Sequence, residues 1–243
     1  MSHAVSLDAL LSNQPQTRDA LWACLTSDPA TGVVLISSDM EILYANERLA
    51  KTFGGPEAKP CDYVGKRVNE FSPERYAKER QVLFEKVMGD GRSRLIRSVW
   101  LGWQCILWYT PLSSSAAVAA SDAPWDRVLA VARRLPGIGA ADALVDDSAE
   151  LIYADAVDLG PLSVLTTREL EVVALVGAGM SIKEVGAALH RSPKTIEKHR
   201  LSAGQKLGMS DRAELIQVAH RAGLMLEDAH RVRMAPVGAA PGL

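Results

Sequence analysis

Helix-start signals crowd into the last third of the chain, and they constrain its fold more than any other feature of the sequence. Two of them are capping boxes, in which a Ser or Thr and a Glu three residues later satisfy free backbone N–H groups at a helix start. The third signal is a Ser that precedes a Pro, because Pro lacks the N–H that would be unsatisfied in a first helical turn. The fourth is a Ser-Asp pair, since both residues can cap a helix start. In chain order the four signals are Thr166 with Glu169, Ser181 with Glu184, Ser192 with Pro193, and Ser210 with Asp211. Glycines at positions typical of helix C-termini follow, so the sequence predicts four short helices.

The second and third of these helices are joined by His190-Arg191, a turn short enough for a helix-turn-helix arrangement. At 100° per residue, Ile196, Ala203 and Leu207 of the third helix form a buried stripe. The opposite face fits a DNA major groove, which admits one helix. Residues expected to face bases are Lys194, Glu197, Lys198 and Leu201. Residues expected to face phosphates are Ser181, Lys183, Thr195, Arg200 and Lys206.

The charge distribution favours DNA binding by this region over an ordinary solvated helix face. Residues 165–224 carry nine Lys/Arg against six Asp/Glu, whereas the whole chain of 243 residues has 27 against 29. A basic C-terminal module is therefore attached to an acidic body.

The same region resembles the LuxR-type (GerE-like) helix-turn-helix family. The resemblance rests on residues 165–172, 179–185, 192–199 and 206–208, and covers about 60 residues. It implies that the third helix reads the major groove and that the fourth, about Asp211–Ala222, pairs two protomers, with Leu215, Ile216 and Ala219 at the contact. Two departures from the family pattern are Gly186, in place of Ala, and Ala203-Gly204. Because Gly204 lowers helix propensity, the end of the third helix is expected to be soft.

The first half of the chain alternates β-rich and helical segments, in the order two strands, helices, three strands. Residues 32–47 resemble the opening of a PAS domain, and residues 64–67 and 91–112 resemble its later strands. The expected fold class is therefore an α+β PAS domain, with an antiparallel sheet flanked by helices, joined to an all-α four-helix LuxR-type domain. The expected boundaries are a helical segment at 1–30, the PAS domain at 31–135, a linker at 136–164, the DNA-binding domain at 165–226 and a disordered tail at 227–243.

The input of such a PAS domain is left open by the sequence. Heme is disfavoured because the five histidines lie outside residues 32–135, and flavin because nothing resembles the cysteine motif of flavin light sensors; no cofactor or metal is assigned. Aromatic residues that would surround a small, largely apolar organic ligand are Tyr44, Phe53, Phe71, Trp100 and Trp108. The alternatives are that these rings simply pack a core and a dimer interface, or that the input is a redox or metal signal.

The sequence predicts a cytoplasmic, one-component transcription regulator that acts as a homodimer. No secretory signal, run of about 18 apolar residues or disulfide framework is apparent. No phosphate-binding loop or catalytic triad pattern appears, so no enzyme activity is expected. The expected partners are double-stranded DNA on a two-half-site operator and a second copy of the chain, with RNA polymerase as a further candidate. A rival interpretation is a PAS-containing adaptor that acts through protein contacts with little DNA binding.

Overall fold

The computed structural model of the protein describes residues 15–113, 125–144 and 150–234. The helices are α1 (Pro15–Ser27), α2 (Glu47–Gly54), α3 (Val68–Phe71), α4 (Glu74–Asp90), α5 (Thr167–Gly177), α6 (Ile182–Ala188), α7 (Pro193–Leu207) and α8 (Arg212–Ala222). The strands are β1 (Thr31–Ser37), β2 (Ile42–Ala45), β3 (Arg94–Trp100), β4 (Trp103–Leu112), β5 (Arg127–Arg134), β6 (Glu150–Tyr153), β7 (Ala156–Val157) and β8 (Val232–Arg233). Short 3-10 turns lie at Pro60–Asp62, Asp142–Leu144, Gly160–Val164 and Leu226–His230.

A six-stranded sheet in the order β2-β1-β5-β4-β3-β6 organises the first half of the chain. All its pairs are antiparallel except β3–β6, which is parallel. The β3–β4 hairpin turns at Leu101-Gly102, and both residues have positive φ, the geometry of a type I′ turn. With the helices on this sheet and the all-α region after it, the predicted α+β fold class is confirmed.

Strand β3 is buried along its whole length because both faces of the sheet are covered there. Successive side chains of a strand point to opposite faces. Ile96 and Trp100 therefore join the core beneath α4, together with Leu107 and Phe84. Val99, on the other face, packs in a second core that it shares with the C-terminal helices.

The predicted linker and part of the predicted tail are structured in the protein. In the linker, β6 pairs with β3, and Leu159 and Leu162 are buried in the second core. In the tail, β8 pairs in parallel with β7, and Asp228 is fully buried. The Asp, Ala and Gly residues of these segments are typical of loops. The apolar residues among them nevertheless pack against residues that are distant in sequence. Residues 145–149 and 235–243 lie outside the described residues, as do residues 1–14 of the predicted N-terminal segment.

No helix in the described ranges is long and apolar enough to cross a bilayer. Within those ranges, no cluster of three or more His, Cys, Asp or Glu side chains is placed to hold a metal ion.

Candidate DNA-binding site and interior cavity

Each of the three helices α5, α6 and α7 begins at the residue that its capping signal predicted. The Thr166 hydroxyl accepts a hydrogen bond from the backbone N–H of Glu169 (3.3 Å), and the Glu169 carboxylate accepts one from the Thr166 N–H (2.8 Å). Ser181 and Glu184 repeat this reciprocal pair at α6. Ser192 caps α7, with Pro193 in its first turn.

The turn between α6 and α7 is tight because Gly186 leaves room for it. The Gly186 carbonyl accepts a hydrogen bond from Arg191 N–H (2.9 Å), and a Cβ at Gly186 would lie 2.8 Å from the Arg191 carbonyl oxygen. His190, between the two helices, has a positive φ of 52°. Gly186, where the family usually has Ala, therefore allows the backbone of Arg191 to come close to it.

One side of helix α7 is basic and exposed, and the opposite side is packed in the interior of the domain. Ile196 and Ala203 are fully buried, as the predicted stripe requires. On the opposite side Lys194, Lys198 and Leu201 follow one another at i, i+4 and i+7 and are exposed, Leu201 at 48%. Neither lysine forms a hydrogen bond or an ion pair with another described residue, so both ammonium groups are free to meet an anion.

Glu197 and Arg200, both expected to contact DNA, bind each other in the protein. Arg200 forms a two-pronged ion pair with Glu197, with N–O distances of 2.7 and 3.0 Å. This hydrogen-bonded pair lowers the pKa of Glu197 and raises that of Arg200. In the unbound chain the predicted base-facing carboxylate and the predicted phosphate-facing guanidinium neutralise each other.

Lys206 binds Glu169 on α5 rather than reaching outward. Its ammonium lies 2.7 Å from the Glu169 carboxylate, which also accepts a hydrogen bond from the Ser202 hydroxyl (2.7 Å). Burial alone would raise the pKa of Glu169, but the hydrogen bonds from Lys206, Thr166 and Ser202 hold it at about 2. In this conformation Lys206 fastens α7 to α5, and its assignment to DNA phosphates stays a prediction.

The remaining residues expected at phosphates stay near the surface. Ser181 and Lys183 are exposed at the start of α6, and Thr195 is half-buried with its hydroxyl 2.8 Å from that of Ser192. The end of α7 has regular geometry: Gly208 closes it in a left-handed conformation, and Met209 N–H donates to the Gly204 carbonyl (2.8 Å). A Cβ at Gly204 would lie 2.6 Å from the Met209 carbonyl oxygen.

The predicted dimer residues of α8 are used inside the chain. Leu215 is 1% exposed and Ala219 is fully buried, and the Ala219 methyl would lie 2.4 Å from a Cβ at Gly177 on α5. Ile216 is half-buried beside the α5–α7 core. An apolar helix face indicates burial but not the identity of what covers it. Here the cover is α5 of the same chain, so the assignment of Leu215 and Ala219 to a protomer contact is wrong.

An interior cavity of about 80 Å³ lies between the sheet and helices α2 to α4. Of the five aromatic residues predicted to form a ligand pocket, Phe53, Phe71 and Trp100 line it. The other two do not. Tyr44 stacks on Trp22 of α1, with ring centroids 5.5 Å apart, and Trp108 packs on the opposite face of the sheet. Because side chains alternate along β4, Tyr109 and Leu107 face the cavity while Trp108 cannot.

The cavity wall also contains polar side chains that were not predicted, which include Tyr63, Tyr76, Arg80 and Tyr109. A signal for one of them was available. Tyr76, Arg80, Leu83 and Val87 recur at helical spacing on the buried face of α4, so an arginine stands within an otherwise apolar and aromatic stripe.

Together, the short turn, the capped helices and the basic outer face define a helix-turn-helix domain. Residues 163–219 match the GerE model, "Bacterial regulatory proteins, luxR family", and this part of the chain is a LuxR-family helix-turn-helix domain. Among curated proteins, the transcriptional regulatory protein UhpA of Salmonella typhimurium is 46% identical over 57 residues, which cover 24% of this chain and 28% of that protein. The oxygen regulatory protein NreC of Staphylococcus aureus is 35% identical over 65 residues, 27% of this chain and 30% of that protein. The match thus spans less than a third of the length of these relatives.

Two solved structures align with large parts of this chain at low sequence identity and with TM-scores below 0.5. A VqmA–ligand–DNA complex from Vibrio cholera aligns with 91% of this chain and 96% of that chain, at a TM-score of 0.46 and 16% identity. The PAS domain of an HTR-like protein from Haloarcula marismortui aligns with 53% of this chain and 99% of that chain, at a TM-score of 0.37 and 16% identity.

Proposed function

We propose that the chain is a one-component transcription regulator whose α7 reads the major groove of double-stranded DNA. The observation that carries this proposal is the pair of exposed lysines, Lys194 and Lys198, on a helix that buried Ile196 and Ala203 fix to the domain. Lysine donates to guanine O6 and N7, and Leu201 one turn further on is suited to a thymine methyl group. Membership of this domain in the LuxR family supports the same interpretation.

The start of α6 supplies the backbone contacts in this proposal. Ser181 and Lys183 are exposed there, beside the turn that leads into α7. Helix N-termini and lysines bind phosphates without reading sequence, so these residues position the domain while α7 specifies the site.

A binding selection from a random duplex library, with the full chain as bait, tests the proposal. We expect a recurring sequence to be enriched, and Lys198→Ala to weaken binding to it by about 1–3 kcal/mol. Lys51→Ala, at an exposed lysine on α2, is the matched control and should bind as the unmodified chain does. Failure to enrich any sequence, with binding to random duplexes absent at low salt, would favour the adaptor interpretation instead.

We also propose that two copies bind two half-sites. Because Leu215 and Ala219 are internal, the contact on α8 would use its exposed residues, among them Ala213 and Gln217. A symmetric contact of this kind places the same patch on both copies. Light scattering in the presence and absence of the selected duplex measures the stoichiometry, and a footprint over a single half-site by a monomer would refute the dimer.

The PAS-like domain is proposed as the input of the regulator, with the interior cavity as its ligand site. The cavity is lined by aromatic and apolar side chains with a few polar ones, which is the composition typical of small-molecule sites. The end of α8 touches the sheet of this domain, since the Arg221 guanidinium lies 4.9 Å from the centroid of the Trp103 ring on β4. A ligand that altered the sheet would therefore act directly on the DNA-binding domain.

A further inference from the structure

Arg80 is buried in the wall of the interior cavity, and no described residue supplies a carboxylate partner for its charge. Its side chain is only 2% exposed, and within the described part of the chain none of its three guanidinium nitrogens has a carboxylate partner or a well-formed hydrogen bond, although Tyr76 interacts with it. Buried polar groups in folded proteins are almost always hydrogen-bonded, and a buried charge is paired. An orphaned guanidinium at a cavity is therefore a specific sign of a missing anion.

The neighbours of Arg80 keep it charged without neutralising it. Burial opposes the charge, but the electrostatic influence of Tyr76, Tyr109 and Glu79 raises the pKa of Arg80 above its ordinary value. The guanidinium carbon lies 4.6 Å from the centroid of the Tyr76 ring. The Glu79 carboxylate is turned elsewhere, because it accepts hydrogen bonds from the backbone N–H groups of Asp155 (2.6 Å) and Ala156 (3.4 Å).

The shape of the cavity limits what the anion can be. Its volume is about 80 Å³, whereas an apolar cavity of about 150 Å³ accommodates benzene, so about three to five non-hydrogen atoms fit without rearrangement. The rest of the wall is largely apolar and includes Phe53, Phe71, Trp100 and Leu107. A carboxylate with a short hydrocarbon body satisfies both sides, since its two oxygens match the fork of a guanidinium.

A route from solvent reaches the same side chain. Arg80 also lines an open groove of about 590 Å³ between α4 and β6, beside Tyr153 and Lys86. Lys86 is paired with Glu150 (2.8 Å), whereas Arg80, which lines both the groove and the cavity, forms no ion pair with a described residue.

We propose that the interior cavity of the PAS-like domain binds a small aliphatic monocarboxylate, with Arg80 as the residue that holds its carboxylate group. This rests on the proposed function only in assigning the cavity to the input of the regulator. Binding itself does not require that the chain recognise DNA.

The test compares propionate with propionamide, a neutral molecule of nearly the same shape, on the full chain at equal sodium chloride concentration. We expect propionate to raise the midpoint of thermal unfolding in a concentration-dependent way and propionamide to have no effect. In a series of formate, acetate, propionate and butyrate the shift should pass through a maximum, because the cavity is small. Calorimetric titration with propionate should give one site per chain.

Arg80→Met separates a ligand site from a structural role. Without ligand this variant should be at least as stable as the unmodified chain, because it removes an unpaired buried charge, and it should lose the response to propionate. Arg75→Met, the same change at an exposed position of α4, should keep the response. The proposal is overturned if propionamide acts as strongly as propionate, if Arg80→Met still responds, or if no carboxylate of the series shifts the midpoint.

The outcomes for the DNA-binding domain are independent. A shift with propionate in a chain that enriches no DNA sequence supports the anion site and refutes the regulator. Enrichment of a DNA sequence without a response to any carboxylate supports the regulator and refutes the anion site.

Discussion

Arg97 on β3 and Asp228, 131 residues further along, form a two-pronged ion pair with N–O distances of 2.5 and 2.7 Å, at exposures of 1% and 0%. The same guanidinium donates to the Gln104 side chain (2.9 Å) and to the Gly223 carbonyl at the end of α8 (2.7 Å). Because Asp228 also accepts from the Met225 N–H (2.8 Å), the pair fastens the segment after α8 to the sheet. The sheet and the LuxR-family domain are thus joined through a buried charged contact.

Breaking this ion pair should strongly destabilise the chain. We expect Asp228→Asn to lower the free energy of unfolding by about 3–5 kcal/mol, because it leaves the Arg97 guanidinium buried without its counter-ion. Urea denaturation measures the loss. Asp155→Asn is the control, since Asp155 is 80% exposed and lies 4.0 Å from Arg231. The double variant Arg97→Met/Asp228→Leu should lose less than Asp228→Asn alone, and an equal or larger loss would contradict the assignment.

The carboxylate of Glu169 should make stability depend on acid. Its pKa is about 2 in the folded chain against 4.5 for the free side chain. Its contribution, on the order of 3 kcal/mol, is therefore complete above about pH 5 and is lost as pH falls towards 2. Glu169→Gln should lower the free energy of unfolding at pH 7 and remove that part of its pH dependence. Urea denaturation at pH 7 and pH 3 tests this, with the exposed cap variant Glu184→Gln for comparison. The prediction is wrong if the free energy of unfolding changes with pH in the same way for Glu169→Gln and for the unmodified chain.

Gly204→Ala distinguishes close packing from helix propensity. Propensity alone predicts a gain of up to ~1 kcal/mol from Ala inside α7. The new Cβ would, however, lie 2.6 Å from the Met209 carbonyl oxygen, and such overpacking costs about 1–3 kcal/mol. We therefore expect a net loss of about 1 kcal/mol. Gly89→Ala in α4, where no atom lies within 4 Å of the new Cβ, should instead be neutral or stabilising. If Gly204→Ala and Gly89→Ala raise the free energy of unfolding by similar amounts, the contact between the new Cβ and Met209 is relieved without cost.

Local signals in the sequence predicted the starts of α5, α6 and α7, because each cap involves residues only three apart. They also predicted the buried face of α7, since Ile196 and Ala203 recur at helical spacing. The contacts of Arg97 and Asp228 had no such signal. Each is an ordinary charged residue in its own segment, and only the closed fold brings them together.

Two errors share a physical origin. The apolar face of α8 was assigned to a second protomer, and Trp108 to a ligand pocket. In both cases the pattern correctly indicated contact with other apolar groups but carried no information on which ones. Leu215 packs against α5, and Trp108 against the face of the sheet away from the cavity. Strand parity was the available evidence for Trp108, since Leu107 and Tyr109 point the other way.

Lys206 and Lys183 should respond in opposite ways to the same substitution. Lys206→Met removes the ion pair with Glu169 and should lower stability, while the salt dependence of DNA binding stays as it was. Lys183→Met should leave stability unchanged and reduce the slope of log K against log salt by about one unit, as expected for one lost phosphate contact. Denaturation and a salt titration on one duplex measure both quantities. A reduced slope for Lys206→Met would instead indicate that Lys206 contacts a DNA phosphate.

The ion pair between Glu197 and Arg200 should control how α7 meets DNA. Lys198→Ala should cost about 1–3 kcal/mol on the selected duplex and less on a scrambled one, because it removes a contact to a base. Arg200→Ala should weaken binding to both duplexes, since it leaves the Glu197 carboxylate unneutralised beside the phosphates. The double variant Glu197→Gln/Arg200→Ala removes that carboxylate and should recover most of the loss. If Arg200 instead contacts a phosphate directly, the double variant will bind no better than Arg200→Ala, and the salt slope of both will fall by about one unit. Anisotropy titrations of the three variants on both duplexes, at several salt concentrations, separate these outcomes.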